Sequence, residues 1–460
     1  MKRVFTPIAG SVTAALLLSA CSLAPTYERP TAPVPAAFPQ AAASSGTAAA
    51  DLPWTDFVTD ARQRALVDTA LQNNRDLRIA VLNVEQVRAQ YGVQRADLLP
   101  SVGVGATSTR TTTGAGISST YSVGFTVTAF ELDLFGRVKN LSDAALARYF
   151  ASDEGRRAAL TTLIAGIVNA DLALRADDEL LLTTQRTLAS RDDQLKLVKL
   201  RFDAGAAAEP ELRATESLVA AARTSLIALQ RQRSQDLNAL MLLLGHNLPE
   251  PMPAATPLDS VAFADIPAGL PSDVLLQRPD VRQAEQALIA ANANIGAARA
   301  AFFPRISLTG SLGTASTQLS NLFENTAWSF SGQLLQPLFD AGRNQSNLEA
   351  ARAAQQIAVA QYEKAIQVAF REVADALAGR ATLGEQLAAQ QAQAAAETRR
   401  LELADLLFRG GAASALDRLD AERSALAARQ AVVQLQLAKA QNAVLLYRVL
   451  GGGAGTPAKQ

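Results

Sequence analysis

Alternation of apolar with small polar residues marks the stretch Tyr121-Ser122-Val123-Gly124-Phe125-Thr126-Val127-Thr128-Ala129. Successive side chains of a β-strand point to opposite faces, so this stretch predicts a strand with one apolar and one small-polar face. Similar runs elsewhere give four predicted strands, over 101–112, 120–130, 305–315 and 327–337. Strands of about ten residues with this pattern are typical of a transmembrane β-barrel. A half-buried soluble sheet shares the alternation, so the prediction depends on the four strands together.

Closure of such a barrel requires more than one chain, because an open sheet edge is not tolerated in lipid. Two protomers would supply eight strands, and barrels of that size are filled by their own side chains. Three protomers would supply twelve strands, which leaves room for a lumen. The strand number therefore favours a trimer.

An internal repeat sets the plan of the chain. The segment Arg95-Ala96-Asp97-Leu98-Leu99-Pro100 matches Arg299-Ala300-Ala301-Phe302-Phe303-Pro304, and Phe202-Asp203-Ala204-Gly205 matches Phe408-Arg409-Gly410-Gly411. A period of about 205 residues is too long for a solenoid. It indicates duplication of a helix–hairpin–helix–helix unit, with repeats over 58–244 and 272–450 and a linker over 245–271.

Helices account for the rest of each repeat. A first helix is predicted over 58–97 and over 272–302, each ending before a proline that cannot continue it. Ala/Leu/Gln/Arg-rich tracts predict long helices over 138–203, 209–243, 340–408 and 414–450. Heptad spacing of apolar residues in the last tract predicts helix-on-helix packing. The fold class is therefore mainly α with a β-barrel contribution. The helices alone would also fit a soluble coiled coil, which the strands argue against.

The N-terminus has the features of a signal peptide over residues 1–20, with Lys2 and Arg3 before an apolar stretch. It ends Leu18-Ser19-Ala20-Cys21, which resembles a bacterial lipobox and predicts a covalent lipid on Cys21. By resemblance to Gram-negative lipoproteins, Ser22 favours sorting to the outer membrane. An ordinary signal peptide with an incidental cysteine is the alternative. Residues 21–57 are predicted to form a lipid-anchored tether, and 451–460 a flexible tail.

Composition excludes several classes of function. Lys+Arg and Asp+Glu both number 43, so no global basic field favours nucleic acid. With a single cysteine no intrachain disulfide can form. The single histidine, His246, together with the single cysteine excludes zinc clusters and His-based triads. We therefore predict no enzyme activity, no catalytic residue, no metal and no cofactor besides the lipid.

Three segments carry a resemblance to a known family: Cys21-Ser22-Leu23-Ala24-Pro25, Leu276-Gln277-Arg278-Pro279-Asp280-Val281-Arg282-Gln283-Ala284-Glu285 and Ala301-Phe302-Phe303-Pro304. They resemble the TolC-like outer-membrane factors, in the OprM/NodT-type lipoprotein branch. The resemblance implies a homotrimer with a 12-stranded barrel in the outer membrane of a Gram-negative bacterium and an α-helical tunnel through the periplasm. It also implies a belt built from the termini and 245–271, a periplasmic adaptor and an inner-membrane pump of the RND type.

The same resemblance assigns a gate just after the second glycine turn. Leu416 would constrict the pore, Asp417 and Asp420 would line it, and Arg423 would link neighbouring coils. Asp420 and Arg423 are also spaced i,i+3, so the alternative is a simple pair on one helix surface. Adaptor contact is implied near Gly205, Gly410 and Gly411. The alternative is that these glycines only supply positive φ at a helix end.

Three functions follow as hypotheses. The first is an exit duct for small toxic compounds or drugs, and the second is a duct of the same fold for type I protein secretion. The third, a lipid-anchored coiled-coil tether, is disfavoured by the strands. The lipoprotein branch favours efflux by analogy. The sequence names neither the cargo nor the partner pump.

Overall fold

The computed structural model describes residues 22–38, 49–114, 116–266 and 272–453. The predicted signal peptide, Cys21 and residues 454–460 lie outside this part of the chain. The described residues form one four-stranded antiparallel sheet and a set of helices. They group into two compact units: the described residues within 1–33, 81–155 and 280–365 form unit 1, and those within 34–80, 156–279 and 366–460 form unit 2. Each unit combines residues of both sequence repeats.

The elements have the following bounds. The helices are α1 (Trp54–Phe57), α2 (Ala61–Asn73), α3 (Arg75–Ala96), α4 (Arg137–Asp203), α5 (Glu209–Leu244), α6 (Pro279–Ala300), α7 (Arg343–Arg409) and α8 (Ala415–Val449). The strands are β1 (Val102–Thr113), β2 (Gly116–Glu131), β3 (Arg305–Ser316) and β4 (Thr326–Leu335). Short 3₁₀ helices lie at Ala49–Asp51, Leu258–Ser260, Ser272–Gln277 and Leu319–Asn321.

The sheet of unit 1 has the order β1-β2-β3-β4, with β1 and β4 as its outer strands. Residues in register across the four strands form an apolar row in which every side chain is more than half exposed: Val104, Phe125, Leu312 and Trp328. On the opposite face, hydroxyl groups pair across strands, with Ser311 Oγ 2.7 Å from Ser329 Oγ. The sheet therefore has one apolar and one small-polar face, as the alternation predicted.

Two glycines allow β2 and β3 to approach closely. Gly124 and Gly313 face each other in the register. A Cβ atom on Gly313 would lie 2.1 Å from the carbonyl oxygen of Val123, and one on Gly124 would lie 2.5 Å from that of Leu312. Because glycine alone lacks this atom, both positions require it at this strand spacing.

The predicted helix 58–97 was wrong as a single element, because Asn74 interrupts it. The Asn74 side chain accepts a hydrogen bond from the Leu77 backbone N–H at 2.7 Å, which caps the start of α3. Its Nδ2 donates to the Leu243 carbonyl oxygen, also at 2.7 Å. The side chain is 5% exposed and so links the start of α3 to the end of α5 within unit 2.

The second repeat makes the equivalent connection through an arginine side chain instead of an asparagine. Here the predicted helix 272–302 is a 3₁₀ helix followed by α6, which begins at Pro279. Arg278, the equivalent of Asn74, donates to the Val449 carbonyl oxygen at 3.0 Å and to Glu372 Oε2 at 2.8 Å. Val449 is itself the equivalent of Leu243, so each repeat joins the same two points.

The terminal segments are more ordered than predicted wherever they are described. Residues 49–57 of the predicted tether form a 3₁₀ helix and α1, with Trp54 and Phe57 buried. Gly451–Gly453 of the predicted tail are buried too, and Gly452 lies so close to the Tyr447 ring that a Cβ there would collide with it. Packing of aromatic rings, which has no local periodicity, accounts for this order.

Among the described residues, one helix is both long enough and apolar enough to cross a membrane, namely α4. Of its most apolar 18-residue stretch, 56% is buried. Such burial is also found in core helices of soluble proteins, so it assigns no span to α4.

Replacing Gly313 with alanine should disrupt the sheet. The added methyl would overlap the β2 backbone and cost about 3 kcal/mol, as overpacking does in other cores. We expect less folded protein in the outer membrane and a lower melting temperature by circular dichroism. The matched control is Gly310→Ala, whose Cβ would meet only the Ser329 carbonyl oxygen, at 3.6 Å. Equal melting temperatures for the two variants would contradict the close approach.

Asn74→Ala should lower stability by about 2 kcal/mol, since it removes a helix cap and leaves a buried carbonyl without its donor. Thermal unfolding followed by circular dichroism measures the change. The control is Asn73→Ala, which removes only a bond to the Thr69 carbonyl oxygen on its own helix. If both variants melt together, Asn74 is not the connection that we describe.

Candidate functional site

Both helical hairpins of unit 2 turn through the same backbone motif. After α4, the Gly205 N–H bonds to the Phe202 carbonyl oxygen and the Ala206 N–H to that of Arg201. After α7, the Gly411 N–H bonds to Phe408 and the Ala412 N–H to Leu407 in the same pattern. This is the Schellman helix ending, in which the glycine has left-handed φ, +73° at Gly205 and +72° at Gly411. Helix-end geometry is thus sufficient to explain Gly205 and Gly411.

Asp417 has a structural partner at the start of α8. Ser414 is the N-cap, and its Oγ accepts from the Asp417 N–H at 3.2 Å. Asp417 Oδ2 in turn accepts from the Ser414 N–H at 3.1 Å, which completes a capping box. The hydrogen bonds from Ser414 hold the pKa of Asp417 below its usual value. The carboxylate therefore starts the helix, whatever else it faces.

Asp420 is held mainly by a residue that the sequence did not predict. Arg400 Nη2 on α7 donates to Asp420 Oδ2 at 2.7 Å, whereas Arg423 Nη2 lies 3.6 Å from Oδ1. The i,i+3 pair of Asp420 with Arg423 is therefore present but longer. A signal for Arg400 exists: it lies eleven residues before Gly411 and Asp420 nine after, so an antiparallel hairpin brings them level.

Leu416 lies in the first turn of α8 with 73% of its surface exposed. Leu406 and Leu407, at the end of α7, are also more than half exposed. The end of the α7–α8 hairpin thus presents leucine side chains to its surroundings within a single chain. Burial of such apolar area against other chains would be favourable.

An ion pair between a buried arginine and a partly buried glutamate connects the two hairpins of unit 2. Arg191 on α4 is 4% exposed, and its Nε lies 2.7 Å from Glu422 Oε1 on α8. Its Nη1 also donates to the Leu218 carbonyl oxygen on α5, at 3.0 Å. We call Arg191 and Glu422 the hairpin clamp. At the offset of 206 residues that relates the two glycine turns, the first repeat has Glu216, which instead pairs with Arg213 on its own helix.

A second connection lies nearer the turn, around Phe408 at the end of α7. The Arg418 guanidinium of α8 lies 5.2 Å from the centre of the Phe408 ring, and that of Arg201 on α4 lies 5.9 Å away. Arg418 also contacts Asp405 at 3.2 Å. Such cation–π contacts are worth about 0.5–1 kcal/mol at exposed sites. Phe408 therefore links the start of α8, which carries the predicted gate residues, to α4 of the other hairpin.

A family model described as outer membrane efflux protein matches the chain twice, over residues 66–246 and 270–452. Each match covers one half of the chain. Together they include both hairpins and all four strands.

Similar proteins cover nearly the whole chain. The solvent efflux pump outer membrane protein SrpC of Pseudomonas putida is 43% identical over 96% of this chain and 97% of its own length. The antibiotic efflux pump outer membrane protein ArpC of the same species is 41% identical over 95% and 94%. The open-state MtrE outer membrane channel of Neisseria gonorrhoeae superposes with a TM-score of 0.87, at 41% identity, over 94% of this chain and 99% of that one.

These similarities confirm the predicted family, fold class, outer-membrane location and role in efflux. The family is one of transport channels. Shared length, identity and fold lead to one conclusion: this chain belongs to the outer membrane efflux protein family.

Proposed function

We propose that this chain forms the outer-membrane exit duct of a tripartite efflux system for small apolar organic compounds. The observation that carries the cargo class is the 43% identity, over nearly the full length of both chains, with a protein named for solvent efflux. The antibiotic efflux relative extends the class to drugs. No relative described above is named for protein secretion, so the type I alternative has no comparable support.

The assembled duct is a homotrimer that works with a periplasmic adaptor and an inner-membrane pump. Four strands from each of three chains would close a barrel, with the row of Val104, Phe125, Leu312 and Trp328 against lipid and the hydroxyl face toward water. Passage through such a pore breaks and forms no covalent bond, and we assign the chain no catalytic residue. An acyl group on Cys21 would add membrane affinity of about 0.8 kcal/mol per buried CH₂.

The end of the α7–α8 hairpin is our proposed periplasmic gate. Leu416 would close the pore with its symmetry copies, and Asp420 would line it while bound to Arg400 and Arg423. Asp417 would contribute charge to the pore as well as the cap of α8. Three copies of each aspartate would repel one another and attract cations, so the arginines on α7 and α8 favour the closed arrangement.

Opening of this gate requires the α7–α8 hairpin to move against the α4–α5 hairpin, and the hairpin clamp resists that movement. Removing one partner of a buried ion pair costs about 3–5 kcal/mol, because the other charge stays buried. The turns at Gly205, Gly410 and Gly411 are exposed, and a Cβ at Gly205 or Gly411 would meet nothing within 4 Å. That space supports our proposal that the adaptor binds there.

Deletion of the gene should make cells more sensitive to toluene and to small antibiotics, because the compounds could not leave the periplasm. Survival curves with a wild-type copy restored measure the effect. Secreted proteins, compared by mass spectrometry, provide the control. A strain with unchanged toluene survival that no longer exports a protein would favour the type I alternative.

Glu422→Gln should open the gate, because it leaves the buried Arg191 without a counter-charge. We expect uptake of vancomycin, which the outer membrane normally excludes, to rise at least about tenfold, given the cost of breaking such a pair. Asp420→Ala and Arg400→Ala should raise uptake and bilayer conductance too, and Arg423→Ala less, since its contact is longer.

Glu402→Gln is the matched control for Glu422→Gln, since Glu402 pairs with Arg399 on the exposed surface of α7. It should leave uptake at the wild-type level. If Glu422→Gln and Asp420→Ala behave like this control, the assigned gate is wrong.

A further inference from the structure

The first described residues of the chain lie along α6, within unit 1. We call Ser22–Arg29 the strap; it has no helix or strand of its own. Arg299 Nη1 donates to the Leu23 carbonyl oxygen at 3.0 Å, and Asn292 Nδ2 donates to that of Pro25 at 2.7 Å. Glu285 Oε1 accepts from Tyr27 Oη at 3.0 Å and from Arg29 Nε at 2.7 Å. Strap and helix therefore run antiparallel.

The three helix residues form a single stripe. Glu285, Asn292 and Arg299 are spaced by seven, and a straight helix drifts only about 20° per seven residues. Gly296 lies on the same stripe, between Asn292 and Arg299. A Cβ there would lie 2.8 Å from Ala24 Cβ and 2.6 Å from Asn140 Nδ2, so a side chain would exclude the strap. We call Glu285, Asn292, Gly296 and Arg299 the track.

The strap has no slack along the track. Fourteen residues of helix separate Glu285 from Arg299, which is about 21 Å. Six residues separate Leu23 from Arg29, and an extended chain of that length spans about 20 Å. A shift by one residue would therefore misalign all of the contacts at once.

The strap also covers a carboxylate of α6. With the strap in place Glu285 is 7% exposed, and Arg29 supplies its counter-charge. Burial, together with the charge of Glu285, raises the pKa of Tyr27, so its hydroxyl stays a hydrogen-bond donor. The strap thus both covers the Glu285 carboxylate and supplies its hydrogen-bond donors.

The strap's first residue lies at the end of α6 that borders the sheet. Arg299 precedes the start of β3 at Arg305, and Asn140 follows the end of β2 at Glu131. Ser22 Oγ donates to Asn140 Oδ1 at 2.9 Å, and Asn140 is 1% exposed. Ser22, the residue bonded to Cys21, is therefore held at the end of α6 that leads into the sheet.

We propose that the track fixes the register of the strap and so sets the level at which the lipid of Cys21 enters the membrane, at the end of α6 that leads into the sheet. If the strap ran parallel to α6 instead of antiparallel, the anchor would lie about 20 Å farther along the helix, away from the strands. Docking of the strap stands on the contacts above. Its membrane consequence rests on the proposed lipidation of Cys21.

A nitroxide label on Glu28→Cys tests the docking in the full-length protein. Glu28 is exposed, and Cys21 is the sole natural cysteine, so a lipid on its sulfur leaves one free thiol. We expect a slow-motion electron paramagnetic resonance spectrum. The triple variant Glu285→Ala, Asn292→Ala, Arg299→Ala should give a fast-motion spectrum, and the exposed control Gln283→Ala should not. Fast motion in the parent would overturn the docking; should the triple variant not fold, Asn292→Ala alone should increase mobility.

An insertion tests the positioning without altering α6. One alanine between Pro25 and Thr26 should lower the amount of folded channel in the outer membrane several-fold, because the strap contacts lose register. The same alanine between Ala42 and Ala43, beyond the strap, is the control and should have no effect. Equal amounts for the two insertions would overturn the proposal.

Mass spectrometry of the N-terminal peptide separates this proposal from the ones on which it rests. An unmodified Cys21 would refute the lipid, and with it the membrane consequence; spectra recorded with Cys21→Ser added, which leaves one thiol, would still decide the docking. The amount of folded channel does not depend on cargo, so a failed solvent-efflux assay leaves this test unaffected.

Discussion

Unpaired backbone groups at the two outer strands constrain everything else in this molecule. A β-strand in hydrocarbon must satisfy each N–H and C=O group, because an unsatisfied one costs several kcal/mol. The sheet places β1 and β4 at its edges, so a single chain does not meet that requirement alone. Association with further copies satisfies it, and symmetry then repeats every residue of the hairpins around the pore. The charged and leucine side chains at the hairpin end can act as a gate only when they are repeated around the pore in this way.

Duplication supplied two copies of one plan, and the copies have since diverged where the gate is proposed. The Schellman turns at Gly205 and Gly411 are alike, and Asn74 and Arg278 make equivalent connections to the last helix of their repeats. The helices that follow the turns differ. α8 begins with a capping box of Ser414 and Asp417, while Ala208, the N-cap of α5, makes no side-chain cap. The second repeat therefore has polar structure, absent from the first, at the position where closure is proposed.

Local sequence patterns were enough to predict the strands and long helices to within a few residues, because apolar residues recur with a period of 2 in strands and of about 3.6 in helices. The predicted family followed from short motifs and was confirmed by the comparisons. The pairings at the site were not predicted. Arg191 and Glu422 are 231 residues apart, and Arg400 pairs across a hairpin. The strap was missed for a related reason: two of its contacts are made by carbonyl groups, which every residue has, and its side chains pair with residues far away in the chain.

The hairpin clamp has a mechanical consequence. As the buried fixed point between two long helical arms, it acts as a fulcrum for the α7–α8 hairpin. Six helical residues separate Glu422 from Leu416, about 9 Å along α8, and Gly411 lies beyond the first residue of that helix. A tilt about this point moves the glycine turn farther than the leucine. A force applied by a partner at the glycine turn would therefore have leverage over the constriction, and a short travel of the leucine would accompany a longer travel at the turn.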